Sequence, residues 1–328
     1  MSKTIGIIGA GPAGICAARR CYEAGYKDIK VFEQASDLGG IWLYSPEING
    51  YSSMYEKLNT NGPKEFMSYE GFPVPDRDGS GRSFISRQDV FEYVKEFAAP
   101  IRQFIWIYLL YKEEPGKPKL QLPSNVVQLR EVIDADSEGL ILNDGQKLND
   151  IDAVIYCTGY RYNFPFFDDS IVRTLEGGKI VTPLFEHVVH RDYLDSLFFI
   201  GIPLYSIFAL LEEYQVKFAL SLIQNRAKLP SRDEIDNWET NRIKELKARN
   251  LSLKFFHAFK EPHEQWDYYK RLAQYADVIY AVPNVYIKID LMNRKFFDER
   301  VCTFKRVIYK IVNDEEFTWH DSEMDDYD

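Results

Sequence analysis

The chain has 328 residues, 45% apolar and 27% charged, proportions of an ordinary globular protein long enough for two domains or one large one. Its formal net charge of −10 argues against a nucleic-acid partner, which would want a basic patch. Four scattered cysteines (Cys16, Cys21, Cys157, Cys302) fit neither a disulfide framework nor a metal set, so reduced thiols in a cytoplasmic compartment are expected. Met1-Ser2-Lys3-Thr4 leads straight into a short apolar run, without the longer stretch that a secretory signal needs. The longest apolar segment, Leu197–Leu211, is broken by Gly201, Pro203 and Ser206 and is shorter than the roughly 20 residues that cross a bilayer. Peripheral contact with a membrane, the endoplasmic reticulum surface included, stays open at this stage, as does the oligomeric state.

Thr4–Ile8 has the pattern of a buried strand. It meets Gly9-Ala10-Gly11-Pro12-Ala13-Gly14, and a helical pattern runs from Ile15 to Ala24, where Gly25 stops it. Ile29–Phe32 reads as a second strand, and Glu33 comes directly after it, 19 residues after Gly14. Strand, G-x-G-x-x-G, helix, strand and acid together make a dinucleotide-binding unit. Gly9 allows the tight turn, Gly11 lets the backbone approach a pyrophosphate, and Gly14 lets the helix lie close to the strand. Pro12 and Ala13 stand at the start of the helix, whose free N–H groups and positive end suit a diphosphate. Glu33, with Gln34 beside it, is the candidate for the ribose hydroxyls. Its carboxylate repels a 2′-phosphate, so this first site is predicted not to take NADP. Cys16 and Cys21 are five residues apart on the helix, on well-separated faces, so packing rather than a redox pair is expected.

Past the acid come Gly39-Gly40-Ile41-Trp42 and then the block Leu58-Asn59-Thr60-Asn61-Gly62-Pro63-Lys64-Glu65-Phe66-Met67-Ser68-Tyr69-Glu70-Gly71-Phe72-Pro73. The G-G-x-W step and the long ungapped block resemble the flavin-containing monooxygenases and their Baeyer–Villiger relatives, and matching motifs recur over roughly three quarters of the chain. The resemblance implies an α/β fold with a Rossmann-like FAD-binding domain, its sheet layered between helices. It implies FAD and NADPH as cofactors, and O2 and a small soft nucleophile as substrates. In the family NADPH reduces FAD, the flavin reacts with O2, and a flavin hydroperoxide passes one oxygen to an amine nitrogen or a sulfide. By the same resemblance Gly40, Ile41 and Trp42 lie against FAD. Asn61 is the implied catalytic residue, an amide beside the flavin that holds the nicotinamide cofactor and the oxygen intermediate. No metal is implied. Ser86, with Asp89 three residues on and a stripe of Val90, Phe91, Val94, Phe97 and Ala98, reads as a capped helix of structural role.

A full member of that family would next show a second glycine turn, G-x-G-x-S-G, for NADPH, with F-x-G-x-x-x-H before it. Here Gly116 is the sole glycine between Ala98 and Gly139. Phe104–Tyr111 has a buried-strand pattern, and 112–119, with Pro115 and Pro118, reads as a loop. From Leu122 the chain again resembles the family, at the stretch that comes after its second domain. These features predict an excision with its junction near Ile105–Ile107, removing on the order of 100 residues. The remnant of about twenty residues is too short to fold alone. The expected organisation is residues 1–104 as the first part of the FAD-binding domain and 105–126 as a remnant of the NADPH-binding domain. Residues 127–313 would form the second part of the FAD-binding domain with C-terminal helices, and 314–328 a solvated, disorder-prone acidic tail.

Val132–Leu142 and Asp144-Gly145 carry strand and hairpin signals. Asp152–Tyr160 is similar to the family's D-x-V-I-x-A-T-G-Y, with Cys157 in place of Ala, and the resemblance puts Thr158 and Gly159 at FAD. Leu184–His187 and Leu197–Pro203 resemble the family's late FAD-domain strand. Glu212 is expected to open a helix to Leu222, with Gln215, by resemblance, in a first turn near the isoalloxazine. Pro230–Asn250 reads as a polar helix, and His257, His263, Gln265, Trp266 and Tyr269 match a family block. Two histidines six apart make a poor metal pair, so both are read as structural. Three functions stay open: a monooxygenase of the NADPH-dependent flavin type with an impaired NADPH step, an FAD-binding pseudoenzyme or truncated isoform, or a flavin enzyme reduced by a partner protein.

Overall fold

The computed structural model describes residues 3–33, 35, 37–45, 52, 54–107, 132–136, 139–142, 145, 147–149 and 161–322. Gln34, Thr158 and Gly159 lie outside these residues, as do 108–126 and the block around Cys157.

β1 (Ile5–Ile8) pairs in parallel with β2 (Ile29–Glu33), and β3 (Ile105–Ile107) adds in parallel on the other side of β2. A parallel pair needs a crossover, and α1 (Pro12–Glu23) supplies it. Pro12 sits at the first helical position, where a missing N–H costs nothing. The helix buries Ile15, Cys16, Ala18 and Cys21, and both thiols are free core residues. Burial pushes the Cys21 thiol up to about 12. The expectation of a fully buried β1 needs correction. Ile8 is 64% exposed and its register partner Phe32 39%. Successive side chains alternate across a strand, so Ile29, Val31 and Glu33 take the covered face of β2, and Lys30 and Phe32 take the other.

α2 (Arg87–Ala98) has the expected capping box between Ser86 and Asp89, and it buries Val90, Phe91, Val94, Phe97 and Ala98. A 3₁₀ segment, Ala99–Phe104, leads from it to β3. The hairpin signals further on become an antiparallel meander of β4 (Val132–Asp136), β5 (Gly139–Leu142) and β6 (Lys147–Asn149). Two short hairpins come next, β7 (Arg173–Leu175) with β8 (Ile180–Thr182) and β9 (Leu184–Phe185) with β10 (Val189–His190). The strand expected over Leu197–Pro203 is reduced to a single bridge from Phe198 to Val189. Gly201 at φ +87 and Pro203, which has no N–H to donate, end any longer pairing.

α3 (Phe208–Ile223) is buried almost without break from Ala209 onward, Glu212, Glu213 and Gln215 included. α1 and α5 (Pro262–Ala276) lie against it. α4 (Arg232–Ala248) is the predicted polar helix, capped by Ser231 and Glu234. α6 (Asn284–Glu299) leads to an antiparallel hairpin of β11 (Val307–Ile311) and β12 (Phe317–Asp321). That hairpin corrects the expectation of a disorder-prone tail beginning at Asp314. Phe317 lies 5.8 Å from Tyr309, and Trp319 sits edge-on to Phe296 at 4.8 Å, so two rings alternating with Thr318 and His320 anchor the strand. Among the described residues no helix is long and apolar enough to cross a membrane.

Candidate functional site

The site is built on the β1–α1 turn. Gly9 takes φ +99, a region that favours glycine, and its N–H donates to the Phe32 carbonyl at 2.7 Å. A β-carbon on Gly14 would lie 1.9 Å from the Gly9 carbonyl oxygen, so only glycine lets the helix start this close to the turn. Gly11 is the N-cap and no side chain caps the helix, which leaves its first N–H groups to a ligand.

Two further segments close on this turn. The Glu33 carboxylate is 7% exposed and accepts the N–H of Ala10 at 2.6 Å and of Ala35 at 2.8 Å. The N–H of Gly39 donates to the Ala10 carbonyl at 2.8 Å, and Gly40-Ile41-Trp42 forms a 3₁₀ turn beside Gly11. Ile41 is 45% exposed, and Trp42 lies 6.5 Å from the Phe208 ring at the start of α3. Gly9, Gly11, Pro12, Ala13, Gly14, Glu33, Gly40, Ile41 and Trp42 are thus brought together.

Gln215 needs a correction. α3 begins at Phe208, not Glu212, so Gln215 lies two turns in rather than in the first turn. It is fully buried and bonded at both ends of its amide. Oε1 accepts the Gly201 N–H at 2.7 Å, and Nε2 donates to the Tyr268 hydroxyl at 2.8 Å. Tyr268 in turn donates to the Glu186 carbonyl at 2.6 Å. A β-carbon on Gly201 would lie 3.4 Å from Cβ of Ala13. Gln215 therefore reaches the glycine turn through Gly201. The early helix start escaped the sequence because Ile207 is no capping residue and the apolar run before Glu212 looks like the end of a strand.

Asn61 stands on a turn fixed at several points. The Thr60 N–H donates to the Ile85 carbonyl at 2.9 Å, and Thr60 Oγ1 accepts the Ile85 N–H at 3.2 Å. The Asn61 carbonyl accepts from Asn293 Nδ2 at 3.1 Å, and the Lys64 N–H donates to the Ser83 carbonyl at 2.7 Å. Asn61 itself is exposed. Glu65, four residues on, accepts from Ser83 Oγ at 2.9 Å, and burial pushes its carboxyl up to about 7.

The sequence reading missed a buried cluster behind the turn. Tyr69 stacks on Phe97 at 4.0 Å, and its hydroxyl lies beside Glu212. Arg20 on α1 pairs with Glu213 on α3, Nε to Oε2 at 2.8 Å. Burial, reinforced by the neighbouring Glu213, pushes Glu212 up to about 8. The available signal was two adjacent acids in a mostly apolar helix. Elsewhere the Val181 N–H donates to His257 Nε2, so the proton of His257 is on Nδ1, which meets His187 Nδ1 at 2.8 Å. Burial drives both rings down, His257 to about 3. Among the described residues no three metal-ligating side chains converge.

A parallel sheet, an uncapped glycine turn stitched to the acid that ends β2, and a second glycine segment laid on it define a Rossmann-like dinucleotide-binding protein of the α/β class. The chain belongs to the flavin-binding monooxygenase-like family, whose model matches residues 2–112 and 117–297. That family is one of oxidoreductases that bind FAD and NADP(H) and act on small molecules with O2. Flavin-containing monooxygenase FMO GS-OX3 of Arabidopsis thaliana is 24% identical over 354 residues, covering 71% of this chain and 76% of the plant protein. FMO GS-OX-like 3 of the same plant is 21% identical over 394 residues, covering 83% and 87%. Among solved structures, S-allyl-L-cysteine S-oxygenase from Allium sativum shares the fold with a TM-score of 0.78 at 20% identity, covering 93% of this chain and 95% of that one. Tmm from Pelagibacter sp. strain HTCC7211 matches at 0.71 and 20%, covering 93% of each. Residues 298–328 lie beyond the family match.

Proposed function

We propose that this chain holds FAD on the Gly9–Gly14 turn and is a monooxygenase for soft nucleophiles, an amine nitrogen or a sulfide sulfur, with its NADPH-dependent step impaired. One observation carries this reading. The first dinucleotide hook is complete, whereas Gly116 is the sole glycine from Ala98 to Gly139, where a second phosphate-binding turn would have to be built. The alignment with FMO GS-OX3 supports it: the matched stretch of 354 residues exceeds the whole 328-residue chain yet uses 71% of it. That is the pattern of an internal excision on the order of 100 residues. The name of the Allium protein favours sulfur as the oxygenated atom.

The residues fit FAD on their own geometry. Gly14 has no room for a side chain, and Glu33 is held at the end of β2 by two backbone N–H groups. The N–H groups at Gly11, Ala13 and Gly14 would take the diphosphate beside Pro12. Glu33 and Gln34 would take the ribose, and Gly40, Ile41 and Trp42 would cover the cofactor. Thr158 and Gly159 would also contact the cofactor, and Gln215 acts through Gly201. Asn61 offers an amide to the reacting end. Bound FAD supplies the electron transfer and oxygen activation, and the protein orients, binds and excludes water. Such chemistry needs no acid–base triad. Free thiols suit a reducing, cytoplasmic compartment, and contact with the endoplasmic reticulum surface belongs to the same proposal.

The missing glycine turn also favours a second reading, an FAD-binding protein without NADPH turnover of its own. Anaerobic reduction separates the two. Purified protein should be yellow, bleach with dithionite, and bleach poorly with NADPH. Re-oxidising the dithionite-reduced protein with a thioether present should yield sulfoxide if it is a monooxygenase, and only hydrogen peroxide if it is not. Rapid bleaching at ordinary NADPH concentrations refutes the impairment. A colourless protein that takes up no FAD refutes both readings.

A further inference from the structure

We propose that the segment from α6 to β12 is a built-in brace for the Asn61 turn, with Asn293 and Lys305 as positioning residues. The proposal rests on the reading of Asn61 as the residue that offers its amide to the flavin.

Two main-chain carbonyls flank Thr60, and the C-terminal segment grips both. Lys305 Nζ donates to the Asn59 carbonyl at 2.8 Å, and Asn293 Nδ2 donates to the Asn61 carbonyl at 3.1 Å. A third tie runs through Ser83. Its Oγ accepts the Tyr309 N–H at 2.7 Å and donates to Glu65, while its carbonyl holds the Lys64 N–H. Thr60 between the two carbonyls is locked to Ile85. The backbone on both sides of Asn61 is therefore tied, while Asn61 remains exposed. Holding a reactive group by its backbone so that only its side chain is offered is how a site gains orientation.

Two details favour positioning over plain folding. Asn293 is 8% exposed, and its Oδ1 is a buried atom with no partner among the described residues. A buried amide with half its capacity unmet costs stability, so its place is explained by what it donates to Asn61 rather than by the core. Lys305, for its part, is not what fastens the hairpin. Phe304 and Tyr309 lie on Phe84, Trp319 lies on Phe296, Arg300 pairs with Asp321, and the Val285 N–H holds the Asp314 carbonyl. Removing the ammonium leaves those contacts in place. Lys305 and both hairpin strands fall in residues 298–328, outside the family match.

The test is a double-mutant cycle in the full chain with Lys305→Met, Lys305→Arg, Asn61→Ala and the Asn61→Ala/Lys305→Met pair. FAD dissociation constants come from flavin fluorescence, the flavin environment from the visible spectrum, and stability from thermal melting. Lys305→Met should weaken FAD on the order of fivefold, one hydrogen bond's worth, and shift the spectrum in the same sense as Asn61→Ala. Lys305→Arg should restore both. In the Asn61→Ala background Lys305→Met should change neither. Full additivity of the two changes overturns the brace, and so does a lowered melting temperature with FAD affinity and spectrum intact. If Asn61→Ala alone moves neither readout, the role given to Asn61 fails and the brace falls with it, a pattern distinct from additivity. Should Lys305→Met not fold, Asn293→Ser takes its place in the same cycle, with the same outcomes supporting or overturning the brace.

Discussion

The hydroxyl of Tyr69 lies 2.6 Å from Oε2 of Glu212, deep between α1 and α3. Burial pushes Glu212 up to about 8, so near neutrality the carboxyl keeps its proton. The Tyr69 hydroxyl donates to it and also lies 3.4 Å from the Pro12 carbonyl. The core of α3 is thereby linked to the first residue of the glycine-turn helix.

That proton sets a pH dependence with a definite sign. A carboxyl raised from 4.5 to about 8 on folding binds more protons in the folded than in the unfolded state across that interval. Stability contributed by Glu212 is therefore present at low pH and is lost as pH rises toward 8. Glu212→Gln keeps an amide oxygen to accept from Tyr69 and removes the titration. Urea unfolding across pH 5–8 should show the wild type losing stability relative to this variant as pH rises. Glu65, raised to about 7, leaves a smaller slope of the same sign in both proteins. Parallel curves for the two proteins would rule out the protonated Glu212.

The glycines of the turn separate fold from ligand. Gly14→Ala drives a methyl to 1.9 Å from the Gly9 oxygen, so backbone must move, at a cost of about 3 kcal/mol by the scale of strained core substitutions. Gly11→Ala meets its nearest atom, the Gly40 Cα, at 3.5 Å, an ordinary contact, and Gly11 has φ −71. Gly11→Ala should melt like the wild type yet lose FAD, because its methyl stands where the diphosphate approaches. Gly14→Ala should lose both. A Gly11→Ala protein that titrates FAD normally would remove the turn from the site.

What was legible in the sequence is what is local. The hook needs only Gly9, Gly11, Gly14 and Glu33 at fixed spacing, and the α2 cap needs only Ser86 and Asp89. Both are written within one strand–helix unit. The position of Gln215 was not legible, because α3 starts without a capping side chain and its first turn is as apolar as a strand. β12 was hidden for a different reason: its short period, Phe317 and Trp319 alternating with Thr318 and His320, is flanked by acids, and pairing with β11 supplies the rest. The bonds from Lys305 to Asn59 and from Arg20 to Glu213 join residues far apart in the chain, and no window of sequence records them.

The histidine pair gives the opposite slope on the acid side. His257 falls from 6.5 to about 3, so the folded state binds fewer protons than the unfolded state between those values. Its stability is complete above 6.5 and is lost as pH falls toward 3. His257→Gln can still accept the Val181 N–H and has nothing to titrate. Acid unfolding followed by circular dichroism should therefore move to lower pH for this variant relative to its own stability at pH 7. An unchanged acid midpoint would mean that His257 is charged in the fold.

Gln215 tests whether a residue that the flavin does not have to touch still governs flavin binding. Gln215→Leu leaves the half-buried Gly201 N–H and the buried Tyr268 hydroxyl without their partner, at a cost of about 1 kcal/mol. It also frees Gly201 from its position beside Ala13, so FAD affinity should fall together with the melting temperature. Gln215→Glu keeps the acceptor for Gly201 and, while protonated, the donor to Tyr268. Burial disfavours the ionised form, so this variant should bind FAD close to wild type in mild acid and progressively worse as the pH is raised. Paired FAD titrations and melts at acidic and alkaline pH check both. A Gln215→Leu protein that melts like the wild type but has an altered flavin spectrum would instead put the side chain directly at the ring.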